Sequence, residues 1–158
     1  MPFAKEILAV IDSYDYSFRL WEELNTRLMD DKKFSEFLEE GAALLRQREK
    51  KIKEIFAKRH TLQVLGEEIP AVNSPLYQSE LAQRVAEETD AKYGLAYYFD
   101  GTGYVCSIRC GKEKDFDVSK IAVQFGGGGH KAASGFKVTS LQDLNGRVES
   151  NKEPKEQD

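Results

Sequence analysis

Along residues 1–58 the apolar positions recur at helical spacing; beyond His60 they fall in short runs separated by turn residues. Ala4 to Ile11 reads as a short helix ended near Asp12-Ser13. Tyr16 to Leu28 reads as a second, with Phe18, Trp21, Leu24 and Leu28 on one side. Asp30-Asp31 breaks the pattern and can cap a third helix. Phe34, Leu38, Gly41, Leu45, Arg48, Ile52 and Ile55 then alternate steps of four and three residues, one narrow stripe on a helix from about Lys32 to Lys58. Phe37, Ala42 and Phe56 widen the stripe, while Gly41 and Arg48 weaken it as a coiled-coil seam. A long helix packed in its own domain and a connector or dimer helix both fit.

After His60 the texture becomes β-like. Thr61 to Leu65 and Ile69 to Val72 flank Gly66-Glu67-Glu68, a hairpin signal. Ser74 is placed to cap a helix with Pro75 at its first position, running from about Leu76 to Thr89. Leu95 to Phe99 and Tyr104 to Arg109 form a second hairpin around Asp100-Gly101-Thr102-Gly103. Asp117 caps a helix from Val118 to about Phe125, and four glycines come next. Lys131 to Ser134 can make one helical turn, ended by Gly135, before a last strand over Phe136 to Val138. This order predicts an α+β fold, a mixed β-sheet with packed helices, preceded by a helical connector extension. The implied domains are 1–59, 60–140 and a polar tail over 141–158 taken as disordered.

The net charge of −4 argues against broad coating of nucleic acid, which needs a basic face, but leaves room for a local anion site made of backbone amides. No apolar run is long enough to span a bilayer, and Lys5 and Glu6 interrupt the first apolar stretch. With two cysteines, these features lead us to expect a reduced, cytoplasmic protein with no membrane partner.

Gly126-Gly127-Gly128-Gly129-His130 carries the strongest chemical signal. Ordering four glycines costs more backbone entropy than ordering any other tetrapeptide. A flexible linker fits poorly, because Val123 and Phe125 precede the run and Ala132, Ala133 and Phe136 come after it. A tight structural turn is one reading. The other is a nest, in which glycines let successive N–H groups converge on a phosphate, with amides at Lys131 adding to the positive end and His130 at the rim. The nucleotide P-loop is excluded because His130-Lys131 stands where Lys-Ser/Thr is needed, and the dinucleotide fingerprint because its third glycine is Lys131.

The segment Asp117-Val118-Ser119-Lys120-Ile121-Ala122-x-Gln124-Phe125-Gly126-Gly127-Gly128-Gly129-His130-Lys131-x-Ala133-x-Gly135-Phe136 resembles the signature of the DHH-associated domain. This is the substrate-binding half of the Asp-His-His phosphoesterases, which include RecJ-like exonucleases, oligonucleotide-degrading phosphatases and cyclic-dinucleotide hydrolases. Asn73-Ser74-Pro75, Ser79-Glu80-Leu81 and Cys106-Ser107-Ile108-Arg109 resemble earlier segments of the family, so the likeness spans roughly Ile69 to Val138. Residues 1–59 resemble its helical connector. The resemblance implies that Gly126, Gly127, Gly128 and Gly129 hold a substrate phosphate, that His130 reaches it, and that Arg109 grips a phosphate. Read alone, Arg109 is equally a snorkelling strand-end residue, although a guanidinium can bind phosphate bidentately. The implied partners are a nucleotide or single-stranded nucleic acid and a DHH catalytic domain or subunit, with a homodimer as the alternative use of the helical stripe.

The two-metal site of such enzymes needs clustered aspartates and histidines. His130 lies in the glycine loop, and His60 reads as a helix-end residue facing the C-terminal dipole. Asp30-Asp31, Glu39-Glu40, Glu67-Glu68 and Glu87-Glu88 sit on different elements. Cys106 and Cys110 lack two further zinc ligands and read as unpaired thiols in or near the sheet. We therefore expect no metal and no other cofactor on this chain, no catalytic residue and no hydrolysis by the isolated chain. Manganese or magnesium belongs to the catalytic half. A non-catalytic structural or regulatory dimerisation module, or one subunit of a split phosphoesterase, is the alternative. Tyr97, Tyr98 and Tyr104 offer stacking surfaces for a base, against ordinary packing in the sheet.

Overall fold

The helical periodicity of the N-terminal third becomes three helices: α1 (Ala4–Ile11), α2 (Phe18–Met29) and α3 (Asp31–Phe56). The computed structural model describes residues 3–15 and 17–146. The chain divides into two compact units, Met1–Lys53 and Glu54–Asp158, so the boundary predicted near His60 falls inside the second. In the first unit Val10, Leu24 and Phe37 are buried together, flanked by Ile7, Ile11, Leu20, Leu28 and Leu44. Phe37, read from sequence as a flank of the stripe, is its most deeply buried side chain. Gly41 is no flaw in a seam. A Cβ there would lie 2.4 Å from the Glu6 carbonyl oxygen, so only glycine lets α1 cross α3 so closely. Arg27 pairs with Glu40 at 2.6 Å and stacks over the Phe37 ring.

The second unit is a six-stranded sheet in the order β1-β2-β3-β4-β6-β5, with β1 (His60–Val64), β2 (Glu67–Asn73), β3 (Tyr93–Phe99), β4 (Tyr104–Cys110), β5 (Gly128–His130) and β6 (Ala133–Val138). β2 and β3 are parallel and every other pair is antiparallel, which gives the mixed α+β fold that the sequence predicts. Leu65 and Gly66 join β1 to β2 with φ of 52° and 79°, the left-handed pair of a two-residue hairpin. Leucine is unusual there. Its N–H donates to the Leu144 carbonyl at 2.7 Å, which pins the turn.

The parallel connection runs through α4 (Gln78–Glu87), which starts later than predicted. Ser74 does not cap it. Its Oγ accepts from the Leu76 N–H at 3.1 Å, closing a local turn, and Tyr77 at φ 54° keeps the chain non-helical until Gln78. α4 buries Leu81, Ala82, Val85 and Ala86. It rests on Gly94 of β3, where a Cβ would lie 2.2 Å from the Ala82 carbonyl oxygen. Lys114 closes the far end of α4 by donating to the carbonyls of Ala86, Thr89 and Ala91.

On the opposite sheet face Tyr93, Leu95, Tyr97, Cys106, Ile108, Cys110, Phe136 and Val138 make the core, covered by Val118, Ala122 and Leu144. Ala122 belongs to α5 (Ser119–Gln124), whose start is held as predicted by Asp117: its Oδ1 accepts from the Ser119 N–H at 3.0 Å. Leu144 belongs to a 3-10 turn over Leu141–Asn145 with a Ser140/Asp143 capping box. The disordered tail predicted over 141–158 therefore fails for its first residues, because burial of Leu144 and the capping box order them. Residues 147–158 of that prediction lie outside the described residues.

Candidate functional site

The glycine run does not end in a helical turn. Gly128–His130 form β5, Lys131 and Ala132 make a two-residue turn, and β6 begins at Ala133. The turn is fixed from outside. Val118 donates its N–H to the Lys131 carbonyl at 2.9 Å, and Cys110 donates to that of Ala132 at 3.0 Å. Hence no helix N-terminus at Lys131 supplies positive charge, contrary to the sequence expectation. Lys131 itself pairs with Asp115.

The four glycines serve different ends. Gly126 has φ 75° and Gly129 φ 144°, conformations that L side chains rarely adopt. The amides of Gly126 and Gly127 donate to Val123 and Ala122 and finish α5, so these two N–H groups are engaged within the protein. Gly127 and Gly129 also face β6 closely: a Cβ on Gly127 would meet the Gly135 carbonyl oxygen at 2.2 Å, and on Gly129 the Ala133 carbonyl oxygen at 2.6 Å. At Gly126 and Gly128 a Cβ would meet nothing within 4 Å, and of these two only Gly128 lacks a positive φ. Gly128 and its neighbours on β5 are all exposed.

Register brings the predicted residues together. Arg109 of β4 pairs with Ala133 of β6, and Ala133 pairs with His130 of β5. Directly opposed residues of antiparallel strands point to one face, so Arg109, Ala133 and His130 form one cross-strand row. With about 4.8 Å between strands, the Cα atoms of Arg109 and His130 are about 9.6 Å apart across the small Ala133. Ser107, Gly135 and Gly128 form the next row of the same face. Arg109 is half-buried. Its Nη1 donates to Ser107 Oγ at 3.1 Å and to the Ile108 carbonyl at 2.9 Å, and its Nη2 donates to Ser79 Oγ at 2.7 Å. Desolvation lowers its pKa, and a guanidinium stays charged in a protein.

Ser79 and Ser107, whose hydroxyls hold the Arg109 guanidinium, enter the sequence reading only inside segments that resemble the family, with no role of their own. Spacing two before Arg109 on a strand puts Ser107 on its face; no local pattern links Ser79 to Arg109. Of the stacking candidates, Tyr97 and Tyr104 lie on the core face, Tyr97 buried and Tyr104 half-buried against it. Tyr98 is half-buried on the Arg109 face, in register with Val105. His60 opens β1 rather than ending a helix, and its Nε2 lies 2.9 Å from the Tyr97 hydroxyl, on the far edge of the sheet from β5. Cys106 and Cys110 are free and buried, and burial pushes the Cys106 thiol up to about 12. No group of three or more His, Cys, Asp or Glu residues among the described residues could hold a metal ion. A cavity of about 680 Å³ opens beside Gly126, lined also by Leu65, Phe125, Lys137 and Asp143, but neither Arg109 nor His130 borders it. No helix among the described residues is long and apolar enough to cross a membrane.

The fold and this edge define a mixed-sheet domain that presents an arginine, a histidine and bare glycine backbone on one open face. The chain belongs to the DHHA1 domain family, which matches residues 68–152. An uncharacterised protein of Acanthamoeba polyphaga mimivirus is 27% identical over 153 residues, 90% of this chain. The chain spans about a third of that relative's length, 34%. Among solved structures, the pGpG-specific phosphodiesterase PggH of Vibrio cholerae aligns over 89% of this chain and 51% of its own, with 14% identity and a TM-score of 0.49. An uncharacterised protein of Helicobacter pylori aligns over 70% of this chain and 30% of its own, with 18% identity and a TM-score of 0.38.

Proposed function

We propose that this DHHA1 domain binds the phosphate of a nucleotide or short single-stranded nucleic acid on the face carrying Arg109, Gly128 and His130, as the substrate-holding part of a DHH-type phosphoesterase. The observation that carries the proposal is the shared row: Arg109 and His130 flank Ala133, beside Gly128, the glycine of the loop that neither packing nor a positive φ requires. A guanidinium and an imidazole at that separation can both reach one phosphate, and bare β5 backbone lets it approach. In this reading Gly126, Gly127 and Gly129 shape the loop rather than donate the contacts. The metal chemistry, with manganese or magnesium, resides in a DHH catalytic domain or subunit, and this chain alone does not hydrolyse its ligand. Cytoplasmic location suits a nucleotide ligand and two buried thiols.

The test is calorimetric titration with a 5′-phosphorylated dinucleotide, the same dinucleotide without its 5′-phosphate, and the free nucleoside. Affinity should fall in that order, and equal or absent binding of all three overturns the proposal. His130→Ala should weaken the phosphorylated ligand about tenfold, the scale of a lost hydrogen bond to a charged group. Because His130 is exposed, its removal should leave unfolding within about 0.5 kcal/mol of wild type. Metal-dependent turnover by the isolated chain would overturn the assignment of chemistry to another domain.

A further inference from the structure

We infer that Ser79 is a positioning residue for the phosphate face: with Ser107 it forms a hydroxyl clamp that holds the Arg109 guanidinium in its binding orientation. The inference rests on the reading of Arg109 as a phosphate ligand and deepens it. An unheld arginine side chain loses rotamer freedom each time it binds, so a guanidinium already fixed by the protein binds its anion more tightly. Here the two terminal nitrogens are fixed from different elements. Ser107 is two residues away on β4 itself, while Ser79 comes from the first turn of α4, thirty positions earlier in the chain.

Three backbone features deliver Ser79 to that place. The left-handed Tyr77 and the Ser74–Leu76 turn delay the start of α4 to Gln78, which puts Ser79 in the first helical turn. Gly94 is the direct cross-strand partner of Arg109, and its missing Cβ admits the α4 backbone against the sheet. Ala96, the partner of Ser107, is the next small residue under the helix. A hydroxyl accepting from a guanidinium adds no charge, so the clamp orients Arg109 without neutralising it. An aspartate or glutamate in the same place would compete with the phosphate. Three hydrogen bonds to the protein leave a five-donor group with capacity for the anion.

The experiment compares wild type, Ser79→Ala and Ser79→Thr, each also in an Arg109→Lys background, by titration with a nucleoside 5′-monophosphate and with the nucleoside. Ser79→Ala should weaken the monophosphate about fivefold to tenfold, with no change in nucleoside binding or in melting temperature. Ser79→Thr, which keeps the hydroxyl, should restore most of the loss. In the Arg109→Lys background Ser79→Ala should have no further effect, because lysine has no fork to orient. Unchanged monophosphate affinity in Ser79→Ala overturns the inference. An equal loss in both backgrounds also overturns it, since Ser79 would then contact the phosphate directly. If the wild-type chain does not distinguish the monophosphate from the nucleoside, the functional reading itself falls and the clamp with it.

Discussion

β3 and β5 belong to one sheet and are built in opposite ways. β3 lies between β2 and β4 with α4 on one face and the core on the other, and five of its seven residues are buried. β5 has one neighbour, β6, and all three of its residues are exposed. Both contain glycine, for different reasons. Gly94 of β3 admits the backbone of α4; Gly129 of β5, like Gly127 just before the strand, admits that of β6. At Gly128 nothing in the protein needs the space. β5 buries no side chain and ends in an exposed histidine, and the proposed phosphate face gives Gly128 a use that packing does not.

The largest expected effect breaks the β3 side of this comparison. Gly94→Ala puts a Cβ 2.2 Å from the Ala82 carbonyl and 2.6 Å from the Ala86 nitrogen, both backbone atoms of a packed helix. Neither can move without lifting α4, so we expect a loss of about 3 kcal/mol in urea unfolding, at the upper end for overpacking. Phosphate affinity should fall with it, since Ser79 moves with the helix. Wild-type stability in this variant would mean that α4 is not held against β3.

The glycine loop gives a paired prediction. Gly127→Ala collides with β6 backbone and the Phe136 Cβ, and should lower stability by about 2 kcal/mol and unseat β5. Gly128→Ala should stay within about 0.5 kcal/mol of wild type in unfolding, yet weaken a phosphorylated dinucleotide about tenfold by holding the ligand off the strand. The reverse pattern, with Gly128 as the stability-sensitive position, would return the loop to a purely structural role.

Lys114 is of similar weight on the structural side. Its ammonium meets three carbonyls at the end of α4. Lys114→Met keeps the aliphatic stem and removes the charge, leaving those carbonyls without their donor. We expect a loss of about 1.5–2 kcal/mol, as for hydrogen bonds to a charged group, with dinucleotide affinity little changed.

The same contrast divides the features legible in the sequence from those that were not. The two hairpins flanking α4 were legible from Gly66 and from Asp100-Gly101, because those turns need left-handed or side-chain-capped backbone. β5 was not, since glycine has poor strand propensity and only pairing with β6 makes Gly128–His130 a strand. The helical turn expected at Lys131 failed for that reason. Ser74 before Pro75 carried a sound capping signal that lost to a tighter turn and a left-handed Tyr77. The capping box of Ser140 and Asp143 was readable and overlooked in a stretch judged by its polarity. His130 was singled out at the rim of the glycine run and Arg109 chiefly through the family resemblance, but that they share a row is a fact of register, which no local pattern contains.

The smallest effect sharpens the link between the two regions. Asp100, in the turn after β3, accepts from the Lys137 ammonium of β6 at 2.6 Å and from the Thr102 and Gly103 amides. The Lys137 hydrogen bond, then those of the turn, hold its carboxyl far below the usual range. A carboxylate depressed in the folded state stabilises above its unfolded pKa, about 3.9, and loses that contribution as pH falls toward the folded value. Asp100→Asn should therefore lower the melting temperature slightly at neutral pH, and the gap from wild type should close as pH falls below about 4. Because the pair is on the surface, salt should narrow the gap as well. A gap that stayed constant from pH 7 to pH 2 would assign the effect to turn geometry alone, and would leave β6 tied to the buried strands by its ladder with β4 and the packing of Phe136 and Val138, without help from this ion pair.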